Sequence, residues 1–177
     1  KQTNFKDISD IDAMALVEQH YISPNFANKK TPHALLVNDD DDVSVMICEE
    51  DHIRLQCIKS GLDLEDAYKN ACIYDDKLDE NLNIAFDGKW GYLTHCPTNL
   101  GTGMRASVML FLPALTMMHK VEGLSIQLSK IGLTVRGMYG EGSQPDGCLY
   151  QISNRETMGV TEEDTIKKLS EVTKQII

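Results

Sequence analysis

The stretch His33–Cys48, HALLVNDDDDVSVMIC, decides the fold class. Its two apolar runs, His33–Val37 and Val43–Cys48, read as short buried strands, and the polar break Asn38–Asp42 reads as a tight acidic turn between them. The carboxylates of Asp39–Asp42 could bring metal binding to mind, but an exposed hairpin turn is the plainer account of them. The next segment, His52–Lys59 (HIRLQCIK), alternates apolar and polar residues, as a strand with two distinct faces does. Connections this short leave no room for a crossover helix, so these strands must run antiparallel.

Working outward, Ile8–Tyr21 carries Ile11, Met14, Ala15, Leu16 and Val17 near the helical period, and Pro24 should end that helix. Asp63–Leu82 reads as a second helix, with Leu62, Ala67, Ala71 and Leu78 on its apolar side. Ile84–Thr94 centres on Asp87-Gly88, a strong hairpin signal. A Gly-rich turn then leads to an apolar strand or helix start reaching Met118. Lys120–Ile131 is expected to be helical and stopped by Gly132, and Leu133–Gly140 and Cys148–Ser153 to pair as strands. Thr161-Glu-Glu-Asp opens a C-terminal helix with a capping-box pattern. The sum is an α+β fold, a mainly antiparallel β-sheet flanked by helices.

Composition narrows the function. The 177 residues carry a formal net charge of −10, so no basic face is available to neutralise many phosphates, and nucleic acid is not the expected partner. No apolar run approaches the roughly 20 residues of a membrane span, and Lys1–Ser9 has no apolar signal core, so a cytoplasmic location is expected, with no membrane partner. The five cysteines, Cys48, Cys57, Cys72, Cys96 and Cys148, are odd in number and widely spaced without Cys-x-x-Cys. That pattern fits neither a disulfide framework nor a zinc site, and most are expected to be small buried hydrophobes. The eight methionines are expected as core filler.

Three segments put charged or reactive residues at strand ends and in glycine-rich loops: Glu49–Arg54 (EEDHIR), Cys96–Arg105 (CPTNLGTGMR) and Arg136–Glu141 (RGMYGE). A single site built from them would hold three permanently charged guanidinium forks, Arg54, Arg105 and Arg136, whose geometry suits phosphate oxygens. Glu50 and Glu141 would offer carboxylates able to grip a guanidinium. Phosphoryl transfer rests mainly on positioning and charge neutralisation, which such a cluster can supply. A guanidinium, with a pKa above about 12, is a poor nucleophile, and a carboxylate beside it can orient the nitrogen and take its proton. Taken singly, Glu49–Asp51 reads as a solvated turn and Cys96 as a structural thiol; His95 beside Cys96 invites a dyad, but neighbours on a strand face opposite ways. Arg155 could touch phosphate or substrate, with a surface role the plainer expectation.

Cys96–Val108, CPTNLGTGMRASV, closely resembles the signature of the phosphagen (guanidino) kinases, the family of arginine and creatine kinases, and EEDHIR and RGMYGE follow in the family's order and at similar separations. The resemblance spans nearly the whole chain and implies the family's glutamine-synthetase-like catalytic domain over residues 1–177. It implies that Arg54, Arg105 and Arg136 hold nucleotide phosphates and the transferring phosphoryl group. It further implies that Glu50 and Glu141 bind the substrate guanidinium, that Cys96 lies beside it, and that His20 stacks on adenine. ATP and Mg²⁺ are the implied cofactors, the metal being held largely by phosphates and water rather than by a dedicated protein site.

Within the family, the wording VMLFLPAL after MRAS, the ending YQISNRETMG, and Met109 where a second adenine-contacting histidine usually stands resemble the bacterial protein-arginine kinase branch. That branch implies ATP-dependent phosphorylation of arginine side chains in proteins, marking or regulating them in stress settings, with ATP/ADP, arginine-containing protein substrates and an activator protein as partners. The family's upstream SSRxRxxR-like segment is absent from these residues, as is the carboxy-terminal region of the bacterial enzymes, so a domain truncated at both ends is expected. The alternatives are a free-arginine kinase and a non-catalytic nucleotide- or partner-binding fragment.

Overall fold

The structure, a computed structural model, describes residues 2–5, 8–40, 42–137 and 147–177. It divides into two compact units, Lys1–Ile84 and Ala85–Ile177.

The first unit is built on a four-stranded antiparallel sheet in sequential order: β1 (Gln2–Asn4), β2 (Ala34–Val37), β3 (Val43–Ile47) and β4 (Ile53–Cys57). The HALLV–VSVMIC hairpin forms as read, with Leu35 opposite Met46 and Met46 opposite Arg54. Directly opposed residues share a face, so Leu35 and Met46 lie on one side. There they join Val17, Ile22 and Phe26 in a core whose members come from α1 (Asp10–Glu18) and α2 (Pro24–Ala27) as well as the sheet. The acidic turn is organised rather than merely solvated. Asn38 Oδ1 accepts from the Asp42 and Val43 amides, and the Asp42 carboxylate meets Lys59 Nζ at 2.7 Å. Lys59 also pairs with Asp66 of α3 (Leu64–Asn81) at 3.3 Å, which ties that helix to the end of β4.

The first helix ends at Glu18, short of the Tyr21 that the sequence suggests. His20 takes a left-handed φ of 61°, and Pro24 occupies the first turn of α2, where its missing N–H costs nothing. Ile11 and Met14 sit on an exposed face of α1.

The second unit begins with the Asp87-Gly88 hairpin, β5 (Phe86–Asp87) and β6 (Gly91–Tyr92), where Asp87 Oδ1 accepts from the amides of Lys89 and Trp90. It continues into a three-stranded antiparallel sheet ordered β7 (Ser107–Phe111), β9 (Leu149–Asn154), β8 (Leu133–Arg136). Between β7 and β8 the chain forms α4 (Pro113–Met117) and α5 (Val121–Lys130), and Gly132 after α5 takes φ 78°. α6 (Glu162–Ile176) is capped by Thr161, whose side chain accepts from the Asp164 amide as the capping-box pattern requires. It packs against β9 and β7 with Ile166 and Leu169 buried.

Two expectations about composition give way. Of the described methionines, Met46 is in the core, while Met14, Met109, Met117, Met118 and Met158 are exposed on helix ends, strand faces and loops. The five cysteines are partly exposed, none being a fully buried hydrophobe. At Cys57 burial, with the Asp42 charge adding to it, pushes the thiol up to about 11.

Candidate active site

In the first unit the EEDHIR segment is the β3–β4 hairpin connection. The Cys48 amide donates to the His52 carbonyl at 2.8 Å, so Glu49, Glu50 and Asp51 form its tip. Cys48 takes φ 60°, a conformation that costs a non-glycine residue roughly 1–2 kcal/mol. Lys29 holds the strained corner, its Nζ donating to the Cys48 carbonyl at 2.6 Å and to the Glu49 carbonyl. The two glutamates then part ways. Glu49 is only 13% exposed and engaged, accepting from Ser23 Oγ at 3.2 Å and lying 3.7 Å from the Arg54 guanidinium. Glu50 is exposed, and its carboxylate meets no hydrogen-bond or ion-pair partner among the described residues.

Arg54 sits on β4, half exposed, on the same face as Met46. Two residues on, Gln56 shares that face and its Nε2 donates to the His20 carbonyl at 2.5 Å. That bond places the backbone of His20, just past the end of α1, beside the strand that carries Arg54.

In the second unit Cys96 precedes a single 3₁₀ turn, Pro97–Asn99, with the Asn99 amide donating to the Cys96 carbonyl and the Cys96 sulfur 3.0 Å from Thr98 Oγ1. Behind it, Gly101 is demanded by close backbone approach. Gly101 has φ 108°, and a Cβ there would lie 2.2 Å from the Thr157 carbonyl oxygen. The Thr102 amide donates to that same carbonyl at 2.9 Å, and the Thr157 hydroxyl lies within hydrogen-bond reach of the Thr98 and Leu100 carbonyls. Thr157 thus fastens the CPTNLGTG loop from behind.

Arg105 is presented just as firmly. The Asn154 side chain, almost fully buried at the end of β9, accepts from the Ala106 amide at 2.8 Å and donates to the Met104 carbonyl at 3.1 Å and the Glu156 carbonyl at 3.0 Å. It grips the backbone on both sides of Arg105, whose guanidinium is exposed and makes no ion pair or hydrogen bond among the described residues. Arg136 closes β8 opposite Gln151, which in turn opposes Met109 of β7. Arg136, Gln151 and Met109 therefore form a row across one sheet face, and the Gln151 amide is fixed by a bond from its Nε2 to Ser107 Oγ at 3.0 Å.

Glu141 lies outside the described residues, as do Met138–Gly140 of the same motif. Arg155 is exposed, and its guanidinium reaches Ser129 Oγ at 3.5 Å. Sequence reasoning passed over Glu49 as a distinct actor, and with it Ser23, Lys29, Gln151, Asn154 and Thr157. Among the described residues no group of three or more His, Cys, Asp or Glu is arranged to hold a metal ion, and no helix is long and apolar enough to cross a membrane.

All 177 residues match the family model for ATP:guanido phosphotransferase, C-terminal catalytic domain. Among characterised sequences, the chain is 51% identical over 171 residues to a protein-arginine kinase of Halothermothrix orenii, covering 97% of this chain and 49% of that protein. It is 52% identical over 164 residues to the protein-arginine kinase of Staphylococcus epidermidis, covering 93% and 49% respectively. The chain thus spans about half the length of these relatives. Among solved structures it resembles the duplicated taurocyamine kinase of Schistosoma mansoni with bound transition-state-analogue components, with a TM-score of 0.89 and 30% identity over 99% of this chain and 26% of that one. It also resembles lombricine kinase, with a TM-score of 0.76 and 25% identity over 99% and 52%.

Proposed function

The chain belongs to the ATP:guanido phosphotransferase family through its C-terminal catalytic domain, and on that premise we propose that it is the catalytic part of a protein-arginine kinase. The observation that carries this reading is its identity of 51–52% to proteins named for that activity, against 25–30% to kinases of small guanidino compounds.

The reaction moves the γ-phosphoryl group of ATP to a terminal nitrogen of an arginine side chain. A P–N bond forms as the bond from the γ-phosphorus to the bridging β–γ oxygen breaks; ADP leaves, and the guanidinium gives up one proton. Glu50 and Glu141 grip the guanidinium, hold the attacking nitrogen in line and receive that proton. Glu50 suits this role because it is exposed at a hairpin tip whose backbone is fixed by Lys29 and by the Cys48–His52 bond. Cys96 stands beside the acceptor in this reading. Arg54, Arg105 and Arg136 take the phosphate oxygens, and His20 lies against the base. The donor chemistry fits a Mg²⁺ carried on the nucleotide, since guanidinium groups bind phosphate oxygens and leave the metal to phosphate and water. When bound, that ion neutralises phosphate charge during transfer.

The setting that goes with this reading is the bacterial cytoplasm, with stress-related marking of proteins and an activator protein as regulator. The deciding experiment offers MgATP with an unfolded arginine-containing protein and, separately, with free arginine. Preferential phosphorylation of the protein supports the proposal. Label on free arginine alone would make the chain an energy-buffering kinase, and nucleotide binding without transfer would make it a binding module.

A further inference from the structure

Three carboxylates crowd the β3–β4 hairpin tip, and Glu49 is held inward while Glu50 is exposed. We propose that Glu49 is a positioning residue: with Ser23 and Lys29 it forms a clamp that presents Arg54 to phosphate and Glu50 to the acceptor. This rests on the reading of Arg54 and Glu50 given above.

The clamp has four attachments. Ser23 Oγ, which also accepts the Phe26 amide as the cap of α2, donates to Glu49 Oε1 at 3.2 Å. The same carboxylate oxygen lies 3.7 Å from Arg54 Nη1, and the other oxygen accepts the backbone amide of Glu50 at 2.5 Å. Lys29 Nζ pulls in the carbonyls of Cys48 and Glu49, fixing the left-handed corner from which the tip projects.

One half-buried carboxylate therefore touches both groups that the chemistry needs on this hairpin. At 3.7 Å the Arg54 contact is an ion pair without a direct hydrogen bond, so the guanidinium is aimed while its donors stay open to phosphate oxygens. Glu50 is aimed through its backbone instead. With its amide tied to Glu49, its side chain is left to face solvent. A carboxylate already committed to Ser23, Arg54 and the Glu50 amide is poorly placed to receive a substrate itself.

Glu49→Gln is the test, because it keeps the shape and an acceptor for Ser23 while removing the charge. MgADP affinity is measured for the parent chain, Glu49→Gln, Arg54→Ala and the double variant, with kcat and KM for MgATP followed alongside. If Glu49 acts through Arg54, the single change weakens MgADP binding about tenfold and does less than about twofold once Arg54 is gone. A merely structural role would give the same loss in both backgrounds and would overturn the proposal, as would unchanged affinity in Glu49→Gln. Ser23→Ala should weaken affinity in the same direction by a smaller factor, and no effect there would remove Ser23 from the clamp. A parent chain that binds MgADP without forming phosphoarginine would sink the kinase reading alone, since the cycle needs only nucleotide binding. No nucleotide binding by the parent would overturn both.

Discussion

Replacing Asn154 by alanine should cost both stability and the presentation of Arg105. The side chain is 5% exposed and makes three hydrogen bonds to backbone groups, at the Ala106 amide, the Met104 carbonyl and the Glu156 carbonyl. A typical bond of this kind contributes about 1 kcal/mol net, and a buried donor left without a partner costs about 1–3 kcal/mol. The buried Ala106 amide is such a donor, since it gives its hydrogen to Asn154 Oδ1. The Met104 and Glu156 carbonyls lose a donor each, a smaller loss if water reaches them. The expected total is about 2–4 kcal/mol, read as a lower urea midpoint at unchanged m-value. Nucleotide affinity should fall further than unfolding explains, because the backbone on either side of Arg105 is freed. Asn154→Asp keeps the acceptor for Ala106 but turns a carboxylate toward two carbonyls. Its pKa should rise, so that variant should gain stability as pH falls and the acid form regains a donor. A loss under about 0.5 kcal/mol for Asn154→Ala, or full nucleotide affinity in the folded variant, would refute the reasoning.

Three further expectations rest on separate contacts. Gly101→Ala should abolish activity and lower the unfolding midpoint, because its φ is 108° and the new Cβ would meet the Thr157 carbonyl at 2.2 Å; wild-type turnover in this variant would count against the fastened-loop description. Lys59 holds the Asp42 carboxyl below its ordinary range, so this pair's stabilisation is present above the unfolded carboxyl pKa and is lost as pH falls through the lower folded value. Lys59's own pKa is raised, chiefly by Asp42, so its share is present below the ordinary lysine value and lost as pH rises through the folded one. Lys59→Met should flatten both limbs of the unfolding midpoint against pH, and unchanged limbs would remove the pair from the account. Cys57, with its thiol pushed up to about 11, should resist iodoacetamide at pH 8 until the chain is unfolded; fast alkylation of the native protein at that site would contradict its shielding.

Much of this was legible because local chemistry and tertiary structure agree. Asp87-Gly88 forms its hairpin, Thr161 caps its helix with the predicted bond, and the HALLV–VSVMIC pairing follows from apolar runs joined by a short turn. The candidate residues were legible through the wording of their motifs rather than through spacing. What escaped depends on register and on partners distant in sequence. The resemblance picks the second glutamate of EEDH, but nothing in the sequence gives the first a part of its own; Ser23, 26 residues earlier, does so by taking it inward. Asn154 lies just past the expected strand Cys148–Ser153, and only its bonds across 48 and 50 residues reveal that it fixes the backbone around Arg105. Gln151 could have been found sooner, since once β7, β9 and β8 are paired it must stand between Met109 and Arg136. The early end of α1 had no apolar signal, because Leu16 and Val17 keep the helical period up to the point where His20 turns left-handed.

The central claim is that arginine within a protein is the phosphoryl acceptor, and direct detection of the P–N bond tests it. The full-length protein would be incubated with MgATP and an unfolded arginine-containing protein, kept at neutral or basic pH because the bond is acid-labile, and digested for mass spectrometry. The account predicts phosphoarginine on the acceptor, with the signal lost in Glu50→Gln and strongly reduced in Cys96→Ala. Phosphate found on hydroxyl residues instead, or phosphoarginine formed equally well by Glu50→Gln, would contradict it.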